Sequence, residues 1–326
     1  MIRINSQSVT ATLPGKLMLM GEHAAVYGYP CLAAAFDKKL TVKINQRSDR
    51  NIIILSDYFK ETLQSDWQEI TEKIEPGGQY LIAALKTVSV LISHKTGINM
   101  EIKSDFSGRF GLGSSAAVTV GAIAGIAALY GLNLSKEELF KLAYRSILTV
   151  AENASGYDAA AIIFGGIIYY KKGDIKPEKI EASPDLLVCY SGSKADTAEM
   201  VRMVAGKMKS HKKAVLKIFQ STAELVKQAR QSLISHQYDI FGKLMNFSQD
   251  YLEDLGVATP KLNELILKAR KAGALGAKIS GAGGGDCLIV LVDHGCRQKV
   301  SQALIEAGGE IIDTRIDTEG ITVKLS

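Results

Sequence analysis

Apolar and polar positions alternate with a period near two through much of the first hundred residues, and with a period near 3.6 through most of the second half. VTATLPGKLMLMGE (9–22), CLAAAFDKKLTVKIN (31–45) and NIIILSD (51–57) carry the β-branched and apolar runs of strands, with Gly, Pro and Asp between them. A helix is predicted over Tyr80–Ser93 and a strand over Asn99–Lys103. The run SSAAVTVGAIAGIAALYG (114–131) is apolar on most faces and stops at Gly131, which predicts a buried helix. Ser135 and Glu138 form a capping box for the next helix, EELFKLAYRSIL, and GGIIYYKKGD (165–174) reads as a strand with a turn.

From Thr197 to Leu255 the pattern is almost continuously helical, interrupted by breaks rather than strands. A further helix, KLNELILKARKAGA (261–274), runs into AKISGAGGGDCLIVLVD (277–293). The tail alternates a helix at RQKVSQALIEAG with strands at EIIDTRID and GITVKLS. The shift in character near residue 185 divides the chain into an expected N-terminal part, 1–185, and a C-terminal part, 186–326. There is no internal repeat and no low-complexity segment.

Composition narrows the class. The 326 residues are 47% hydrophobic and 22% charged, as in an ordinary soluble globular protein. The net charge of +5 is mild and dispersed, and the lysine-rich KMKSHKKAVLK (207–217) follows a helical period. That pattern reads as a solvated helix face, not a nucleic-acid patch, although a slight positive balance also suits an acidic small substrate. The four cysteines, Cys31, Cys189, Cys287 and Cys296, are scattered without a CxxC pair, and the five histidines lack metal-ligand spacing. Free thiols in a reducing compartment follow. MIRINSQSVTATLPG has no apolar leader core, and no apolar run of membrane-spanning length stands out. The expectation is a cytoplasmic protein without nucleic-acid or membrane partners.

The candidate chemistry begins at GRFGLGSSAAVTVG (108–121), where glycines and serines open a helix. Unpaired N–H groups and the positive end of a helix dipole face whatever lies in front of such an opening, commonly an anion. GLGSSA fits G-x-G-x-x-A, but a dinucleotide fold needs a following strand with an acidic residue, and here a second capped helix follows. No Walker A pattern exists in the chain. Gly111 and Gly113 would let backbone approach a phosphate, with Ser114 and Ser115 adding hydroxyls for phosphate or Mg²⁺. A tight strand-to-helix turn with serine as N-cap explains the same residues equally well.

Two further stretches bear on that choice. PGKLMLMGEHAAVYG (14–28) places a lysine on a strand ahead of a Gly-Glu-His turn. KISGAGGGDCLIVL (278–291) packs four glycines into five positions, a costly density that suggests close approach to a ligand or another loop, or else a bulged turn. Together, and in this order, the three stretches resemble the GHMP kinase superfamily over nearly the whole chain. The resemblance implies an α+β fold with a ribosomal S5 domain-2-like N-terminal half and a ferredoxin-like C-terminal half carrying added helices. It also implies that the glycine–serine loop wraps the phosphates of ATP, with a homodimer as a family-level expectation.

GEHAAVYGYP looks most like the first motif of mevalonate kinases, whereas SGYDAAAIIFGG and SGAGGGDC look closer to phosphomevalonate kinases. The resemblance implies Asp158 as the base for the acceptor hydroxyl and Lys16 as its cationic neighbour. Gly111, Leu112, Gly113, Ser114, Ser115, Ala116 and Ala117 would form the ATP loop. Ser115 would be the hydroxyl ligand of Mg²⁺, with Ser114 the alternative. Glu22, His23 and Thr197 resemble acceptor-side residues, and Ser280, Gly281, Gly283 and Gly284 would line the cleft floor. Asp158 also fits an Asx turn and His23 a structural histidine. The acidic Mg²⁺ ligand expected eleven positions before Asp158 is replaced by Ile147, and the nearest upstream acid is Glu152. The implied activity is ATP-dependent phosphorylation of mevalonate to 5-phosphomevalonate, with phosphomevalonate as the other acceptor. A decarboxylase of the same fold, or a non-catalytic ATP-binding regulator, is a more distant alternative.

Overall fold

Strands β1 (Ser8–Met20) and β2 (Cys31–Gln46) form a long antiparallel ribbon in the computed structural model, which describes residues 7–57, 62–68 and 78–325. The first six residues, part of the N-terminal stretch expected to lack an apolar leader core, lie outside the described residues. Along β1 the inward positions Val9, Ala11 and Leu13 are fully buried, as period-two alternation requires. The register slips between Pro14 and Gly15 and again between Met18 and Met20. Such irregularities twist a strand and re-aim its side chains, and these two bracket Lys16.

The second half of β2 pairs with β5 (Ile98–Ser104) and its first half with β6 (Ile167–Tyr170). Strand β3 (Asn51–Ser56) runs parallel to β5, β4 (Leu63–Asp66) pairs with β3, and β7 (Glu178–Ile180) extends β6. The last strand, β12 (Thr322–Leu325), returns to pair with β1, so the main path reads β12-β1-β2-β5-β3-β4. A second, wholly antiparallel sheet has the order β11-β8-β10-β9, formed by Glu310–Ile312, Leu186–Tyr190, Cys287–Leu291 and Gly276–Ile279.

Helices α1 (Gln79–Ser89), α2 (Ser114–Leu129), α3 (Lys136–Leu148) and α4 (Tyr157–Phe164) share one core with the first sheet. As its composition predicts, α2 is buried almost all round. Its small residues are needed there: a Cβ on Gly121 would lie 2.6 Å from Val42 Cγ2, and one on Gly125 2.8 Å from Ile44 Cδ1. The Ser135–Glu138 capping box is present at the start of α3.

Helices α5 (Thr197–Ser210), α6 (Lys212–Ile234), α7 (Tyr238–Asp254), α8 (Pro260–Lys271) and α9 (Arg297–Glu306) serve the second sheet. The continuous helical pattern after Thr197 thus resolves into three helices. The breaks fall at His211, with ψ of 43°, and at His236, with φ of +53°. Helix α6 gives Val215 and Phe219 to the second core but Val226, Ala229 and Leu233 to the first; α7 divides itself in the same way. The change of sheet falls between Ile180 and Leu186, near residue 185, but α6, α7 and β12 tie the two parts together. None of the described helices is long and apolar enough to cross a membrane.

Candidate active site

Lys16 is set by the distorted part of β1. Its backbone N–H donates to Leu112 O at 2.9 Å, which docks the glycine–serine loop onto the strand. The loop turns through Gly111 (φ +70°) and Gly113 (φ +87°), left-handed conformations that favour glycine. Space is equally restrictive. A Cβ on Gly111 would lie 2.6 Å from Asp286 Oδ2, and one on Gly113 would lie 2.7 Å from Lys16 Cε. Gly113 then caps α2 without a side-chain hydrogen bond, and the first turn of α2 carries no acidic residue. The helix's own first turn therefore offers its dipole no counter-charge, as at an anion site. Ser115 is exposed at this end and Ser114 half-buried, while Leu112, Ala116 and Ala117 are buried behind them.

Asp158 comes to the same place from α4. The turn before it is held by Gly156 (φ +93°), whose Cβ would meet Tyr170 Oη at 2.7 Å. Lys16 Nζ lies 2.7 Å from Asp158 Oδ1, and the two side chains are 9% and 33% exposed. The ammonium also donates to Tyr157 Oη at 3.2 Å and to Gly111 O at 3.4 Å. Burial works against its charge, but the Asp158 carboxylate and then Tyr157 outweigh it, holding Lys16 well above the usual lysine range. Lys16 is therefore a permanent cation beside an open carboxylate and a helix N-terminus.

The Gly-Glu-His turn packs against the second glycine cluster. His23 (φ +60°) shares a 2.9 Å hydrogen bond between Nε2 and Ala282 O, and burial lowers its pKa, favouring the neutral ring. Ser280 Oγ donates to Met18 O at 2.9 Å. Glu22 is paired with Lys278 Nζ, which also donates to Ile279 O; both side chains are sealed from solvent. The glycine cluster is constrained by neighbours, since a Cβ on Gly283 would meet Val257 O at 2.4 Å and one on Gly284 Met200 Sδ at 2.8 Å. Gly281, by contrast, has open space beside it.

Glu22, His23, Ser280, Gly281, Gly283 and Gly284 thus converge on one contact between the sheets. Thr197 is exposed at the first position of α5, the helix that brings Met200 against Gly284. Ile147 is buried in the first core, and Glu152 is exposed in the turn after α3. Among the described residues no cluster of three or more His, Cys, Asp or Glu side chains could hold a metal ion.

Three participants were not picked out as site residues from the sequence. Lys278 looks like an ordinary polar position entering a strand, and Tyr157 like a core aromatic opening a helix. Asp286 ends the glycine cluster in a left-handed conformation (φ +56°), accepts from Ala195 N at 3.0 Å and abuts Gly111. Its signal was the GGGD sequence itself, an acid where the backbone must turn tightly.

The arrangement is that of a small-molecule kinase. Residues 79–166 match the family model described as GHMP kinases N terminal domain, and residues 225–310 that described as GHMP kinases C terminal. The chain belongs to the GHMP kinase family and is an ATP-dependent small-molecule kinase. It is 34% identical to the mevalonate kinase of Pyrococcus abyssi, over 97% of this chain and 98% of that one. It is 32% identical to that of Methanocaldococcus jannaschii, over 93% and 96%. The crystal structure of the Methanococcus jannaschii mevalonate kinase superposes with a TM-score of 0.79 at 30% identity, covering 94% of this chain and 98% of that one. The Lin0012 protein of Listeria innocua shares the fold with a TM-score of 0.89 at 21% identity, covering 98% and 99%.

Proposed function

We propose that this chain is a mevalonate kinase, transferring the γ-phosphoryl group of ATP to mevalonate to give 5-phosphomevalonate. The observation that carries the acceptor is near-full-length likeness to mevalonate kinases, at 34% identity over 97% of the chain. The chemistry rests on the 2.7 Å Lys16–Asp158 pair beside the α2 N-terminus. Phosphoryl transfer asks a protein mainly to position two reactants and to stabilise charge. In this reading the N–H groups of the Gly111–Ala117 loop and α2 hold the phosphates. Asp158, one-third exposed, receives or orients the proton of the acceptor hydroxyl. Lys16 stabilises negative charge on the group in transit. The contact between the Gly-Glu-His turn and the glycine cluster forms the floor, with Thr197 at the acceptor side.

The oxygen donors present fit Mg²⁺ that arrives with the nucleotide. Exposed Ser115 (or Ser114) and Asp158 are hard oxygen ligands at the helix end, and Mg²⁺ takes most of its remaining ligands from phosphate and water. Ile147 contributes nothing, being part of the core. Bound there, the ion would neutralise phosphate charge; positioning and proton handling stay with the protein. A cytoplasmic place suits the four free cysteines.

The second acceptor, phosphomevalonate, rests on SGYDAAAIIFGG and SGAGGGDC, which look closer to phosphomevalonate kinases. ADP release from MgATP, measured in parallel with (R)-mevalonate and (R)-5-phosphomevalonate, decides between them. Turnover on mevalonate is expected; turnover on phosphomevalonate alone would overturn the assignment.

A further inference from the structure

An ammonium group has three N–H donors. Those of Lys16 go to Asp158 Oδ1 at 2.7 Å, Tyr157 Oη at 3.2 Å and Gly111 O at 3.4 Å. A lysine that is to stabilise a transferring phosphoryl group must release one of them. The longest, to Gly111 O, is the weakest and belongs to the loop that faces the phosphates, so it is the one to exchange. Asp158 cannot serve as the constant anchor. As its carboxylate takes up a proton from the acceptor, its attraction for Lys16 falls, at the very stage when charge on the phosphoryl group needs the cation in place. The phenol oxygen of Tyr157 undergoes no such change.

We infer that Tyr157 is a positioning residue of the phosphoryl-transfer centre, whose hydroxyl keeps the Lys16 ammonium aimed while the charge on Asp158 is consumed. The inference rests on the assignment of Lys16 and Asp158 to the reaction. Two features support it. The ammonium lies past the hydroxyl end of the ring, 5.2 Å from its centroid, so the hydroxyl is the part of Tyr157 that holds it. The segment leading to Tyr157 is pinned in turn, because Tyr144 Oη donates to Ala154 O and Tyr170 Oη to Ser155 O, each at 3.0 Å. With Oη accepting from Lys16, the hydroxyl proton has no acceptor among the described residues and remains available to an oxygen of a bound reactant. Tyrosine at this place is thus both a fixed acceptor and a donor held in reserve, which phenylalanine cannot be.

The test is Tyr157→Phe in the full chain, with three readouts. Steady-state kinetics with MgATP and mevalonate should show kcat reduced about tenfold, with both KM values within about twofold of wild type. The melting temperature should stay within a few degrees, since ring and packing are kept. Acetylation of Lys16 by acetic anhydride, followed by peptide mass spectrometry without substrates, should become several-fold faster as the side chain loses a partner. Unchanged kcat with unchanged labelling would overturn the proposal. So would a fall in kcat with a lowered melting temperature and unchanged labelling, which would assign Tyr157 to packing alone. If wild-type protein phosphorylates no acceptor, the proposed function fails and this role with it, whereas the labelling contrast alone would still show whether the Tyr157 hydroxyl holds the Lys16 ammonium.

Discussion

Two lysine–carboxylate pairs lie where the halves of this molecule meet, and their surroundings are opposite. Lys16 and Asp158 stand at the mouth of the phosphate loop, with Asp158 one-third exposed. Lys278 and Glu22 are closed off, at 0% and 1% exposure, and join β9 of the second sheet to the turn after β1 of the first. In the open pair the carboxylate and Tyr157 outweigh burial and raise the lysine pKa; in the sealed pair burial outweighs Glu22 and lowers it. A pair that must change partners during a reaction needs access. One that only joins two sheets gains nothing from water, and its cost is visible in Glu22 Oε2, buried without a hydrogen-bond partner. Identical charges thus serve chemistry in one place and assembly in the other.

The contrast can be broken most sharply at the open pair. Lys16→Met or Asp158→Asn should each lower kcat by about 10²–10⁴-fold, with little change in melting temperature, in a coupled ADP-release assay. Lys278→Met should do the reverse. It strands the Glu22 carboxylate in the interior and should cost about 3–5 kcal/mol in urea unfolding, and adding Glu22→Leu should recover most of that loss. If the single and double variants prove equally unstable, the pair is not acting as a unit.

Smaller effects sharpen the same comparison. Gly113→Ala places a methyl group against Lys16 at a left-handed position and should destabilise by about 1–2 kcal/mol. By displacing the ammonium it should also lower kcat on the order of tenfold to a hundredfold. The smallest concerns His23, whose pKa burial lowers from 6.5. The unfolded chain then binds the extra proton first, so the stability of the neutral ring is complete above pH 6.5 and is lost as pH falls through that value toward the folded pKa. His23→Asn tolerates the positive φ but cannot titrate. Its melting temperature should fall less than that of wild type between pH 7 and 5.5, by about 2 °C; parallel curves would exclude His23 as the source.

Much of this was legible from the chain because the signals are local. The alternation of β1 and β2, the small-residue face of α2 and the capping box of α3 each follow from a few neighbouring residues. The GHMP kinase likeness, too, was carried by three short stretches. What escaped reading depends on partners far apart in sequence. Lys278 reads as a surface position until Glu22, some 256 residues away, is placed beside it. Tyr157, opening α4, reads as core until Lys16 arrives from β1. The short polar strand β4 has no apolar alternation to announce it. EIIDTRID was expected to be one strand, but only Glu310–Ile312 is, with Ile316 bridging to Phe36 as the chain crosses back to the first sheet. Position 147 carries isoleucine where the resemblance implies an acid, and the fold places that side chain in the first core.

That crossing has a consequence for how the protein is made. The edge of β1 is covered by β12, so Val9 finds its neighbour Leu325 only after about 300 further residues have been synthesised. At ordinary translation speeds of roughly 5–20 residues per second, the strand that carries Lys16 waits on the order of 15–60 s with one side unpaired. During that interval the nascent sheet offers an open edge to any other chain nearby. The ribosome-bound chain, rather than the finished enzyme, is therefore where this kinase is most exposed to misassembly.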